Sequence, residues 1–283
     1  MIRGCTIGVY EKAFPESLSI PEMLRHAADA GYDFFELSID RTEQRISRVY
    51  EPGFGETLRA AAAEGGVPVY SMGLSAVGTY TLGNPDPATV ERGMDIFRHA
   101  VDLAVEAGIR LIQIPACDMP KFDPRDEKTD ARFLRNLAEA VEYAASRAVV
   151  LGLENMENDY MDSIGKCMRA VRSVNSPYLQ LYPDAGNLTN AWKNVRADML
   201  RDMDAGEGHY LAFHEKEVQP DRYGGLFYGD GHVDFGTLTR KAYALGVRRF
   251  VMEYWYTGND AWAADLKTAQ ELCSNWITSE EKE

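Results

Sequence analysis

Short apolar runs alternate along this chain with longer stretches in which apolar residues recur every three or four positions, and the alternation repeats about eight times. The short runs are CTIGVY (5–10), FFELSI (34–39), VPVYSMGL (67–74), RLIQIPA (110–116), VVLGLE (149–154), LQLYPD (179–184), YLAFHE (210–215) and RFVMEY (249–254). Nearly continuous apolar runs of this length predict strands of a parallel sheet, buried on both faces. Between them, SIPEMLRHAADAG, PATVERGMDIFRHAVDLAVEAG, DARFLRNLAEAVEYAASRA and DFGTLTRKAYALG carry apolar residues at i, i+3, i+4 and i+7, the mark of amphipathic helices. Gly31, Gly108 and Gly246 stand where such helices stop, in the place of a left-handed cap. Ser19-Ile20-Pro21, Asp86-Pro87 and Asp234 stand where they start.

Eight βα units in 283 residues predict one α/β domain, a closed (β/α)8 TIM barrel over residues 1–278, followed by a polar tail at 279–283. The competing architecture is an open doubly wound sheet. Its dinucleotide-binding form needs a G-x-G-x-x-G turn after the first strand, and that turn here reads YEKAFPE. No Pro/Ser-rich linker divides the chain.

Composition narrows the function classes. The chain is 45% apolar and 26% charged, and no apolar run approaches the ~20 residues of a membrane span. The N-terminal MIRGCTIGVYEKAF reads as a first strand rather than a signal peptide. Cys5, Cys117, Cys167 and Cys273 are far apart and form no C-x-x-C pair, which fits reduced thiols and a cytoplasmic location better than a disulfide framework. A formal net charge of −14 opposes a polyanionic partner, so no nucleic acid is expected. It also opposes the endonuclease-IV-like reading of such a barrel, which needs a His-rich multi-zinc site, and this chain has only five His.

Active sites of TIM barrels lie at the C-terminal ends of the strands. Read there, strand five ends at Glu154, strand six at Asp184, strand seven at His214 and strand eight at Glu253, at separations of 30, 30 and 39 residues. Each alone has a plainer use: an acidic residue forms turns or caps helices, and a histidine can be a hydrogen-bonded core residue. Together, three carboxylates and one imidazole aimed at one end of a barrel make a site for one divalent metal ion, of the Mn²⁺, Mg²⁺, Co²⁺ or Zn²⁺ kind. Without a cation the carboxylates would repel one another in a desolvated site. Glu157 and Asp159 are rival ligands, and Glu154 is preferred because it ends the apolar run. His26 and His99 fall in helices, His209 at the start of strand seven and His232 in the loop GDGHVDF. Trp255 and Phe213 stand near the same strand ends, as a pocket wall and as core respectively.

The stretches IGVYEKAFPESLS, YDFFELSIDRTEQRISR, SMGLSA, LENMENDYMDSIGK, YPDAGNL, FHEKE, GDGHVDF and MEYW bring a family into view. Over nearly its whole length the chain resembles the L-ribulose/L-xylulose 5-phosphate 3-epimerases of the ascorbate-utilisation type, within the xylose-isomerase-like TIM barrels. The resemblance implies metal ligands at Glu154, Asp184, His214 and Glu253, with Glu154 and Glu253 doubling as the two catalytic bases. It implies inversion at C3 of a ketopentose 5-phosphate: one glutamate removes the C3 proton, a cation-bound cis-enediolate forms, and the other glutamate reprotonates the opposite face. A small-molecule sugar or sugar phosphate is the implied partner, with a homodimer or homotetramer as the assembly. Substrate contacts are expected from Asn187, Lys216, Glu217, Arg222 and Trp255, and from backbone N–H groups of YGGLFYGDG, because the loop after strand seven often binds phosphate in barrels.

Two departures pull in opposite directions. After SMGLSA the family continues with a basic His-Arg-Arg run, where this chain has Val77, Gly78 and Thr79. Epimerases of free ketoses carry a His three residues after the Asp ligand, where this chain has Asn187, as the phosphate-sugar type does. An epimerase or isomerase of a non-phosphorylated ketose, or an inosose dehydratase on the same metal barrel, is therefore the alternative activity. A sugar-binding barrel without metal is the non-catalytic one.

Overall fold

The predicted runs become strands buried along almost all of their length, as a parallel sheet covered on both faces requires. A computed structural model describes residues 2–120, 123–220, 222 and 224–279, so the part of the expected polar tail at 280–283 lies outside the described residues. The strands are β1 (Thr6–Tyr10), β2 (Phe34–Ser38), β3 (Val69–Gly73), β4 (Leu111–Pro115), β5 (Val150–Glu154), β6 (Leu179–Leu181), β7 (Phe213–Lys216) and β8 (Arg249–Glu253). They pair in parallel in the order β6-β5-β4-β3-β2-β1-β8-β7. Isolated parallel bridges, Leu181 with Tyr210 and Asp184 with His214, join the two ends of this sheet and close the barrel.

The outer layer follows from the amphipathic stretches. Its helices among the described residues are α1 (Ile20–Asp29), α2 (Glu43–Ile46), α3 (Phe54–Gly65), α4 (Pro87–Ala107), α5 (Thr129–Ser146), α6 (Ile164–Val174), α7 (Ala185–Ala191), α8 (Arg196–Asp204), α9 (Phe235–Ala244) and α10 (Trp262–Thr278). The predicted caps are in place. Ser19 and Glu22 form a capping box on α1, and the Asp86 and Asp234 carboxylates accept from the first N–H groups of α4 and α9. Gly31, Gly108 and Gly246 all have left-handed φ, at 87°, 84° and 97°.

Two strands depart from the sequence reading, and both departures matter to the site. β6 stops at Leu181 rather than running to Asp184. Pro183 lacks the N–H that would continue the ladder, so Asp184 becomes the N-cap of α7. β7 starts at Phe213 and runs past His214 to Lys216. His214 is therefore the second residue of its strand, and the period of two places Lys216 on the same face.

Below the strand ends the barrel is filled by Tyr10, Phe34, Leu111, Tyr182, Ala212 and Val251. Two of these large rings fit because their neighbours have no side chain. A Cβ on Gly8 would lie 2.3 Å from the Phe34 ring, and one on Gly152 would lie 2.6 Å from the Tyr182 Cβ. This apolar plug gives the polar residues above it a water-poor floor.

Candidate metal centre and active site

Glu154 ends β5, Asp184 caps α7, His214 lies in β7 and Glu253 ends β8, and each is buried. One ligand atom from each falls within 4.8 Å of all the others. The Asp184–His214 bridge that closes the barrel is what brings the middle pair together. Asp184 Oδ1 keeps its capping role, accepting the Asn187 N–H at 2.5 Å, and also lies 3.2 Å from Lys216 Nζ. Glu154 Oε2 accepts from Gln113 Nε2 at 2.5 Å, and its Oε1 lies 3.4 Å from His214 Nδ1. Glu253 Oε2 is 2.9 Å from the same Nδ1.

Two oxygens in this group stand out. Asp184 Oδ2 and Glu253 Oε2 are buried and have no hydrogen-bond partner; the Nδ1 contact to Glu253 lacks hydrogen-bond geometry. A buried carboxylate oxygen without a donor loses hydration for nothing in return. A divalent cation between them would satisfy both, and three carboxylate oxygens with one imidazole nitrogen are a hard-to-borderline donor set of the expected kind.

The electrostatics agree. Burial raises Glu154 above the ordinary carboxylate range, against His214 and Lys216. Burial also pushes Asp184 up to about 8, with Lys216 opposing and the neighbouring glutamates adding to the shift. Burial acts on Glu253 in the same sense, but Lys216, His214 and Lys12 together hold it down at about 2. Burial alone would lower His214, yet Glu36 and Glu253 carry it well above its usual value. Neighbouring carboxylates driven in opposite directions are a pattern of crowding that a +2 charge relieves.

Glu154, His214 and Glu253 line a cavity of about 230 Å³, and Asp184 lies wholly buried behind them. Of the expected substrate contacts, Asn187, Lys216 and Trp255 line it, with Lys216 Nζ donating to Asn187 Oδ1 at 3.0 Å. Glu217 and Arg222 are not among its lining residues. Glu217 Oε1 accepts the N–H groups of Val218 and Val233, and its Oε2 accepts that of Gly229, so it ties down the loop after β7. Arg222 is exposed and donates to the Gly225 carbonyl at 2.8 Å. In the turn Ser75–Gly78, where the family's basic run begins, Val77 is buried and only Ser75 reaches the cavity.

The rival residues sort clearly. Glu157 lines the cavity but is not in the four-residue group, and Asp159 lines a neighbouring cavity. His232 pairs with Asn190 Oδ1 at 2.8 Å and His209 with Gln180 Oε1 at 2.7 Å. Tyr10, Lys12 and Gln113 also line the cavity, and a search of strand ends for acids and histidines does not find them. Tyr10 and Lys12 follow from strand ends too, but from β1, whose end carries no acid or histidine at the last position.

Lys12 is held at 2.8 Å by Asp40. Burial pushes the Asp40 carboxyl up, but Lys12 and Thr42 outweigh it and leave it at about 2. A folded-state value below the unfolded one adds stability that is present above the ordinary carboxylate range and is lost as pH falls towards 2. Asp40→Asn is therefore expected to flatten the acid limb of the stability curve below about pH 4. Thermal melts from pH 2 to 6 check this; an unchanged acid limb would remove the Lys12–Asp40 pair as its source.

Comparison with known proteins identifies the family. The profile of the family described as "Xylose isomerase-like TIM barrel" matches residues 24–275. An L-ribulose-5-phosphate 3-epimerase UlaE from Salmonella paratyphi A is 36% identical over 270 residues, covering 94% of this chain and 92% of that protein. Among solved structures, one of L-ribulose 3-epimerase superposes with a TM-score of 0.77 at 19% identity, covering 96% of this chain and 94% of that one. D-psicose 3-epimerase from Clostridium cellulolyticum H10, solved with D-tagatose, gives 0.77 at 14% identity, covering 96% and 99%. The chain belongs to the xylose isomerase-like TIM barrel family and is an epimerase of the isomerase class.

Proposed function

We propose that this member of the xylose isomerase-like barrels is a divalent-metal-dependent 3-epimerase of a ketopentose 5-phosphate, of the L-ribulose 5-phosphate/L-xylulose 5-phosphate type. The observation that carries the metal half of the proposal is the pair of unpartnered buried oxygens, Asp184 Oδ2 and Glu253 Oε2, within one four-residue donor group. Similarity to the Salmonella 3-epimerase over nearly the whole of both chains supports the substrate half.

Glu154, Asp184, His214 and Glu253 would hold the cation. When bound, it supplies a Lewis acid that acidifies the carbon beside a ketose carbonyl and offsets the negative charge left when the proton leaves. The rest falls to the side chains. Glu154 and Glu253 are the two bases, one for each face of C3, so that a proton taken by one and returned by the other inverts the carbon. Gln113 pins one oxygen of Glu154 and fixes the direction of the other. Lys216 places a positive charge beside Asp184 and Glu253 and keeps three carboxylates compatible with an anionic substrate. Tyr10, Met156 and Trp255 wall the cavity and limit water access.

One observation favours a free ketose instead. The Ser75–Gly78 turn brings no cation to the cavity, and Arg222 lies outside it, which leaves Lys12 and Lys216 as the cavity's lysines among the described residues. Solvent exchange separates the readings. Protein loaded with Mn²⁺ in D₂O is expected to place deuterium at C3 of L-ribulose 5-phosphate and L-xylulose 5-phosphate, faster than into the unphosphorylated pentuloses. A faster free sugar would transfer the proposal to the non-phosphorylated substrate. Label at C1 or C2 would indicate aldose–ketose isomerisation, and no exchange in any of these sugars would end the epimerase reading for them.

A further inference from the structure

Glu36 sits in the middle of β2, a strand buried at every position, and its side chain is wholly inaccessible to solvent. A charge in such a place demands partners, and it has three. Tyr182 Oη and Ser71 Oγ each donate to Oε2 at 2.7 Å, and His214 Nε2 lies 2.6 Å from Oε1. Tyr182 also packs its ring on the imidazole, with centroids 4.6 Å apart.

The consequence concerns His214. Carboxylate oxygens accept hydrogen bonds, so the 2.6 Å contact pairs Oε1 with Nε2 as the donor. The two hydroxyls fix Oε2, which leaves Oε1 for His214. With Nε2 committed as a donor, Nδ1 is the nitrogen left to bind a cation, and it is Nδ1 that lies 2.9 Å from Glu253 and 3.4 Å from Glu154. A carboxylate behind a metal-binding imidazole sets its tautomer, fixes its plane and increases its donor strength.

We infer that Glu36 is a positioning residue for the metal centre, the carboxylate of a carboxylate–histidine–cation relay in which Tyr182 and Ser71 hold Glu36 and Glu36 holds His214. This rests on the cation site proposed above. It makes the centre a five-strand construction, since β2 and β3 contribute without touching the ion.

Co²⁺ tests it, because its visible spectrum reports the ligand field and chelator competition reports affinity. Glu36→Gln keeps the shape and removes the charge. It is expected to fold, to bind Co²⁺ about 10–100-fold more weakly than the wild type, and to shift the Co²⁺ absorption bands. A purely structural role would change the melting temperature and leave both readouts in place. Wild-type affinity, to within about twofold, with an unchanged spectrum would overturn the inference while leaving the metal site standing. Failure of the wild-type chain itself to bind Co²⁺ would overturn both. If Glu36→Gln does not fold, Tyr182→Phe decides: it removes one donor to Glu36 and keeps the ring on His214. Weaker Co²⁺ binding supports the relay, and unchanged binding sinks it.

Discussion

Glu253→Gln is expected to reduce interconversion of the two C3 epimers by about 10²–10⁴-fold in both directions, the range for removing a positioned acid–base group. The loss should be larger than that of any other single substitution in the cavity except Glu154→Gln, because the proposed mechanism gives each glutamate two duties. Glu253 is buried at the end of β8, and burial would favour its neutral form. Lys216, His214 and Lys12 reverse that and hold it at about 2, so it is ionised near neutral pH. A carboxylate held that low is a weak base. It suffices only because a neighbouring Lewis acid would make the carbon acid stronger, which ties the role of the base to the cation. The amide neither accepts the proton nor carries the charge that helps hold the ion.

The pattern of label separates this account from a one-base mechanism. With two bases on opposite faces, Glu154 in the Glu253→Gln protein still faces the C3–H of one epimer. Deuterium incorporation is then expected in at most one of the two epimers, without inversion. Incorporation into both at the wild-type rate would eliminate the two-glutamate scheme. The fold should persist, since the substitution keeps the volume and removes one of three crowded buried carboxylates, so an unchanged circular dichroism spectrum is the control.

The same residues show how far a sequence carries such a site. All eight strands and the helix caps at Ser19, Asp86 and Asp234 were legible, because buried parallel strands and capped amphipathic helices have strong local signatures. The four residues of the candidate metal group were legible through a rule of position, the strand end, although Asp184 lies three residues beyond β6 and His214 two residues before the end of β7. Glu36 was invisible to that rule. It lies mid-strand, and its partner His214 is 178 positions away. Only the anomaly of a charge inside FFELS marked it. Glu217 and Arg222 were expected as substrate contacts, Arg222 because its loop often binds phosphate, but the structure turns both onto that loop's own backbone. What a loop side chain does depends on which N–H and C=O groups the loop leaves unpaired, and no periodicity encodes that.

Removing the cation is expected to abolish activity and to loosen the fold together, and to do so more at high pH than at low. A ligand present at about 100 times its Kd stabilises the native state by about 2.7 kcal/mol, so dialysis against a chelator should lower the melting temperature by about 5–10 °C near neutral pH. The pH dependence follows from the metal-free ligands. Asp184 is pushed up to about 8 by burial and by its acidic neighbours, and Glu36 and Glu253 raise His214. Cation uptake near neutrality must displace these protons, so affinity falls as pH falls. For the metal-free chain the sign is the reverse. The proton on Asp184 contributes stability that is complete below the ordinary carboxylate value, near 3.8, and is lost as pH rises through about 8. The metal-free protein therefore weakens over the range in which the loaded one gains. The gap between their melting temperatures should widen steadily from pH 6 to pH 9, and Mn²⁺ or Co²⁺ should restore both activity and stability to the chelated protein. A gap that stayed constant or closed with rising pH would mean that Asp184 and His214 carry no displaceable protons, and that the cation, if bound at all, sits elsewhere.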